Sequence, residues 1–146
     1  MWRFIARLLS LFRRQPIRSQ PSLMSPDAFT EPNGFQWGSF QNAQGANIRY
    51  GHIKAAGPSK GTMIVVGGFR ECIEKYFEVT RDMQARGFDV WLMDWRGQGG
   101  SDRYISAEPQ KMHHLGYAEQ IETLHQFTQS IVEKTDAPMF LAAHSM

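Results

Sequence analysis

Three short apolar runs constrain this chain most: Thr62-Met63-Ile64-Val65-Val66, Phe88 to Met93, and Met139-Phe140-Leu141-Ala142. Each is too short to read as a buried helix and suits a strand covered on both faces. Two stretches with helical spacing separate them. Glu74 to Arg86 sets Tyr76, Phe77, Val79, Thr80 and Met83 at such spacing and stops at Gly87. About Leu115 to Glu133 aligns Tyr117, Ile121, Leu124, Phe127 and Ile131. Strand, helix, strand, helix, strand implies a parallel sheet with crossover helices on its faces. Ahead of it, Phe35 to Phe40 and Ala46 to Lys54 read as two strands joined by Q-N-A-Q-G, a hairpin turn ending at Gly45. The expected fold class is therefore α/β, an N-terminal hairpin followed by a βαβαβ part of a mostly parallel sheet.

Composition supports a packed domain. Apolar residues make up 42% of the 146 and charged residues 21%, the balance of a globular protein rather than a disordered one. Charge is unevenly placed. Five of the sixteen basic residues (Arg3, Arg7, Arg13, Arg14, Arg18) fall before residue 27, where there is no acid, and the remaining chain is net acidic. That distribution offers no basic domain for nucleic acid. Cys72 is the lone cysteine, so no internal disulfide can form, and no Cys/His spacing suggests a metal; no cofactor is expected.

The N-terminal segment stands apart. On a helical wheel Phe4, Ile5, Leu8, Leu9, Leu11 and Phe12 share one side, with Arg3, Arg7, Ser10 and Arg14 on the other. Arg7 interrupts the apolar run, which argues against both a spanning helix and a secretory signal. Residues 1–20 thus read as a basic amphipathic helix suited to an anionic membrane surface through residues 2–14. Docking on its own domain and an organelle transit peptide remain alternatives. The expected location is cytoplasmic or peripheral on the inner face of a membrane. Residues 21–34, with Pro21, Pro26, Pro32 and several serines, read as a linker, leaving 35–146 as the folded part.

Three stretches carry chemistry. Gly67-Gly68-Phe69-Arg70-Glu71 follows the first buried strand, and a Gly pair allows a close turn that presents backbone N–H groups; a plain tight turn is the other reading. Asp94-Trp95-Arg96-Gly97-Gln98-Gly99-Gly100-Ser101 is a cramped, glycine-rich turn after the next strand. The chain ends on Ala142-Ala143-His144-Ser145-Met146, where small residues before a serine suit a sharp turn that pushes the hydroxyl out. Alone, that ending reads better as a polar residue after a strand. His113, His114 and His125 read as surface or core-edge histidines.

Together, and in this order, the three stretches resemble the α/β-hydrolases of the monoacylglycerol lipase and lysophospholipase type, the serine aminopeptidase S33-like group. Gly67 to Tyr76 is similar to the family's H-G-x-G-E-H-x-x-R-Y, with Gly68, Glu71, Lys75 and Tyr76 matching in kind, Gly67 in place of the His and Arg70 in place of a Gly. Asp94 to Ser101 resembles D-x-x-G-x-G-x-S. His144-Ser145-Met146 matches the core of G-H-S-M-G. The resemblance implies Ser145 as nucleophile, backbone N–H groups of Phe69 and Met146 as the oxyanion hole on the Gly67–Gly68 turn, Phe69 in the acyl pocket or the core, and a structural Asp94. His144 is expected to pack rather than act as base. It also implies a lipid-ester substrate such as a monoacylglycerol or lysophospholipid, with the triad Asp and His falling after residue 146. The chain would then be the N-terminal half of such a domain, inactive as written, with its last strand an exposed, aggregation-prone sheet edge. A different reading is a non-catalytic membrane-associated binding module, or the product of a broken gene, that ends at Met146.

Overall fold

The computed structural model describes residues 27–111 and 113–145. The basic segment 1–20, the first residues of the linker, Met112 and Met146 lie outside it. Five strands form one sheet: β1 (Gln36–Gln41), β2 (Asn47–Ile53), β3 (Thr62–Val66), β4 (Asp89–Met93) and β5 (Met139–Ala143), in the order β1-β2-β4-β3-β5. β1 and β2 are an antiparallel hairpin, and β2 meets β4 antiparallel, from Tyr50 opposite Met93 to Ile53 opposite Val90. β3 is the central strand of the parallel part, with β4 on one side and β5 on the other.

The continuous apolar runs of β3 and β4 are explained by alternation between two cores, whereas the third run, β5, is exposed and not covered on both faces as expected. Ile64, Val66, Trp91 and Met93 point to one face, where they pack with Phe40, Ile48, Trp95, Phe127 and Val132. Val65, Val90 and Leu92 point to the other and pack with Phe35, Ile53, Ile73 and Phe77. A strand buried on both sides has no polar face, so its sequence loses the period-2 pattern.

The first helical stretch is shorter and more divided than its spacing suggests. Ile73–Tyr76 is a single 3₁₀ turn, and α1 proper is Phe77–Ala85. Its end is a Schellman motif at Gly87: Gly87 N–H donates to Gln84 at 2.9 Å and Phe88 N–H to Met83 at 3.1 Å. The second, α2, is Tyr117–Gln126, continued by a π-turn over Phe127–Ile131. Val132 N–H closes that turn onto the Phe127 carbonyl at 3.0 Å, burying both side chains and stopping the helix short of Glu133.

The packed region also begins earlier than expected. Residues 27–34, read as the end of the linker, form turns on α1: Arg81 donates to the Asp27 and Thr30 carbonyls, both at 2.6 Å, and Ala28 is 7% exposed. Proline-rich composition signalled an extended segment, but a guanidinium distant in sequence captures its carbonyls. At the other end, β5 is the sheet edge, and Met139, Phe140 and Leu141 are 47, 45 and 57% exposed. An apolar groove bordered by Ile121, Leu124, Met139 and Leu141 separates it from α2.

Candidate active site

The carboxyl ends of β3, β4 and β5 bring the three singled-out stretches together. Ser145 lies just past β5 with φ of 43°, a left-handed backbone that a side-chain-bearing residue rarely adopts. Such outliers gather where function needs a side chain presented at a sharp turn. The turn is stapled to the end of β3: His144 N–H donates to the Val66 carbonyl at 3.2 Å, and Phe69 N–H to the Ser145 carbonyl at 3.0 Å. Gly68 permits this approach. A Cβ there would sit 2.3 Å from the Ser145 carbonyl oxygen and 2.8 Å from that of His144. The glycine is needed for close passage between two backbones, a reason no local pattern could display.

The Gly67–Arg70 turn is held on every side. Trp95 Nε1–H donates to the Gly67 carbonyl at 2.7 Å, Gln98 Nε2–H to the Gly68 carbonyl at 3.2 Å, and Arg70 N–H to Gln98 Oε1. Gly68 N–H donates to Glu71 Oε2 at 2.7 Å. The buried Gln98 thus bridges the loop after β4 to the loop after β3, a role its sequence position did not reveal. Its placement between two glycines was the available signal.

Glu71, matched in the sequence only as part of the family pattern, is a second hub. Its carboxylate also accepts from Lys75 and Tyr76 Oη, and lies 3.1 Å from His144 Nδ1. Burial works to raise this carboxyl, but the hydrogen bonds from Lys75, Tyr76, the Gly68 amide and His144 outweigh it and hold the group well below the usual carboxylate range. Burial first, and then the Glu71 contact, push the Tyr76 phenol up. His144 is therefore a polar tie to Glu71, not the packing residue expected, and its side chain is 60% exposed. Its Nδ1 is engaged by Glu71 and lies 3.3 Å from Tyr76 Oη.

Asp94 is 2% exposed and serves as scaffold. Its carboxylate accepts from the Ile73 amide at 2.9 Å, the Gly100 amide at 2.9 Å and Arg49 Nε at 2.6 Å. The first of these bonds satisfies a donor at the start of the 3₁₀ turn, where no local side chain caps the helix. Burial pushes the Asp94 carboxyl up, against the pull of the Gly100 amide and Arg49. Arg49 also makes a two-pronged bond to Glu74, at 2.7 and 2.9 Å. Gly99, at φ of 48°, lets the chain fold directly over the carboxylate.

Beside the turn opens a pocket of about 230 Å³ lined by Phe69, Arg96, Gln98, His113, His114, Tyr117 and Gln120. Phe69 is 51% exposed and meets the His114 ring edge-on, with centroids 6.2 Å apart. It is a pocket wall, not core. His113 and His114, which read as surface or core-edge residues, line the same space; His125 lies instead at the groove between α2 and β5. The Met146 amide lies outside the described residues.

The comparisons with known proteins cover the stretch that holds these three turns. A family model described as "Serine aminopeptidase, S33" matches residues 57–146. The chain belongs to this S33 hydrolase family. A relative, "Probable lysophospholipase L2" of Haemophilus influenzae, is 34% identical over 105 residues, covering 68% of this chain and 31% of that protein. Among solved structures, a carboxyl esterase from Bacillus coagulans in complex with glycerol matches with a TM-score of 0.58 and 28% identity, over 75% of this chain and 36% of that one. The Cif epoxide hydrolase from Acinetobacter nosocomialis matches at 0.59 and 14% identity, over 78% and 31%, a likeness of fold alone. This S33 chain thus spans about a third of the length of the relatives it matches. The shared fold is the α/β-hydrolase sheet, of which β1 to β5 form the described part.

Proposed function

We propose that Ser145 is the nucleophile of a carboxylic-ester hydrolase acting on a lipid-like ester such as a monoacylglycerol or lysophospholipid. The observation that carries this reading is the Ser145 backbone at φ of 43°, clasped to the Gly67–Phe69 turn. Ser145 Oγ attacks the ester carbonyl carbon as its proton passes to an imidazole base. The carbonyl oxygen becomes an oxyanion, received by the backbone N–H groups of Phe69 and Met146. Collapse expels the alcohol, which takes a proton from the imidazolium, and water then releases the acid from the acyl-serine.

The Phe69 amide must exchange its bond to the Ser145 carbonyl for one to the oxyanion, so it is poised near the reacting atoms but engaged at rest. The imidazole base and its carboxylate would come from residues after 146, in the order Ser, Asp, His that the family resemblance implies. The 146 residues alone would then give only residual turnover. The pocket walled by Phe69 and Tyr117 suits an apolar acyl chain, and the name of the Haemophilus relative points to the same substrate class.

A fluorophosphonate probe tests the assignment. In a product extended by the source's own codons past 146, the probe should attach at Ser145; the 146-residue chain should show almost no labelling. A stop codon at 147, or labelling at another residue, would overturn the reading and favour a binding module. The basic segment 2–14 would place the enzyme on the bilayer that holds its substrate. Sedimentation with anionic vesicles should fall sharply when residues 1–20 are removed, and undiminished sedimentation would refute that placement.

A further inference from the structure

We propose that Glu71 and His144 are positioning residues that lock the Gly67–Phe69 turn to the Ser145 elbow and so fix the oxyanion donors relative to the nucleophile. The inference rests on the hydrolase reading above for its catalytic part, but the lock itself is a matter of geometry. One carboxylate, 11% exposed, joins both sides of the junction. From the β3 side it takes the Gly68 amide, the Tyr76 hydroxyl and the Lys75 ammonium; from the β5 side it meets His144 Nδ1.

An ionised carboxylate only accepts hydrogen bonds, so Nδ1 carries the hydrogen that faces it. Tyr76 Oη is 3.3 Å from the same nitrogen and closes the cluster. Gly68 and His144 each neighbour a backbone clasp: Phe69 N–H to the Ser145 carbonyl, and His144 N–H to the Val66 carbonyl. The side-chain cluster and the two backbone bonds therefore hold one hinge between loops that are more than seventy residues apart. Losing the cluster would leave two exchangeable backbone bonds to hold it.

The test compares His144→Leu, which cannot donate, with His144→Asn, whose amide can place a donor near the lost Nδ1. In His144→Leu, amide hydrogen exchange at Phe69 and at position 144 should quicken by about tenfold or more, with Val65 and Leu92 unchanged. In the extended, active product kcat should fall about 10- to 100-fold at unchanged KM, as expected for misplaced transition-state donors. His144→Asn should restore kcat to within about a factor of three. Should His144→Leu fail to fold, Tyr76→Phe, which removes a single hydroxyl, is measured the same way. Unaltered exchange at both amides, or a loss carried by KM, would overturn the lock. If the unmodified product hydrolyses no ester while exchange still quickens, the lock stands and the hydrolase reading fails.

Discussion

Ser145→Ala is expected to lower kcat of the extended product by a factor on the order of 10⁶, since removal of a serine nucleophile disables the triad as a unit. KM should change little, because the pocket beside Phe69 and the Gly67–Gly68 turn make no use of the hydroxyl for their own structure. The residual rate would come from the oxyanion donors and substrate binding alone. Steady-state hydrolysis of a medium-chain monoacylglycerol, with melting temperature as the folding control, supplies the measurement. A variant retaining a tenth or more of wild-type kcat would remove Ser145 from the chemistry, and the left-handed backbone at 145 would then need another explanation.

The second large effect concerns stability. Asp94→Ala should cost about 3–5 kcal/mol, the range for removing one partner of a buried charge pair. The loss has three parts: Arg49 keeps its charge with only Glu74 opposite, and the Ile73 and Gly100 amides lose their acceptor. Domains of this kind have a net stability of only about 5–15 kcal/mol, so the variant should be largely unfolded in mild denaturant. Asp94→Asn is the informative companion. Its amide oxygen can still accept from one backbone N–H, while its NH₂ faces a guanidinium or an amide donor, so it should recover part of the loss and not all of it. The denaturation midpoint is the measurement; an Asp94→Ala variant within 1 kcal/mol of wild type would show that the carboxylate is not the scaffold described above.

Much of this architecture was legible because the signals are local. β3 and β4 are short β-branched or aromatic runs, Gly87 ends α1 as its position suggests, and Ser145 follows small residues that tolerate a tight turn. What escaped was set by adjacency across the sheet. That His144 serves Glu71 follows only once β5 is known to lie beside β3, which places residues 71 and 144 at one end of the same strand pair. His113 and His114 were read by their neighbours in sequence, yet the loop that carries them folds back on the Gly97 turn, with the His113 carbonyl within 3.0 Å of where a Cβ at Gly97 would stand. The turns over residues 27–34 were hidden by proline-rich composition, since nothing local announces that Arg81 will bind their carbonyls.

The two-sided core has a further consequence. Helix α1 follows β3 onto one face of the sheet and α2 follows β4 onto the other, so two neighbouring parallel strands send their chains in opposite directions. Diverging exits leave a cleft at the carboxyl ends, the place where open α/β sheets take their ligands. Here one lip of the cleft, Gly67 to Tyr76, carries the turn clasped to Ser145. The other lip runs on into the stretch from Ser101 to Gly116, whose described residues form no strand and supply the histidine wall of the pocket. Phe69 and the histidine wall thus face one pocket from separate stretches of chain. Ser101 and Asp102 tie the start of that stretch to Arg49 and Asn47 of β2, so change costs least beyond them, where a lineage can alter the pocket wall while the strands stay in place.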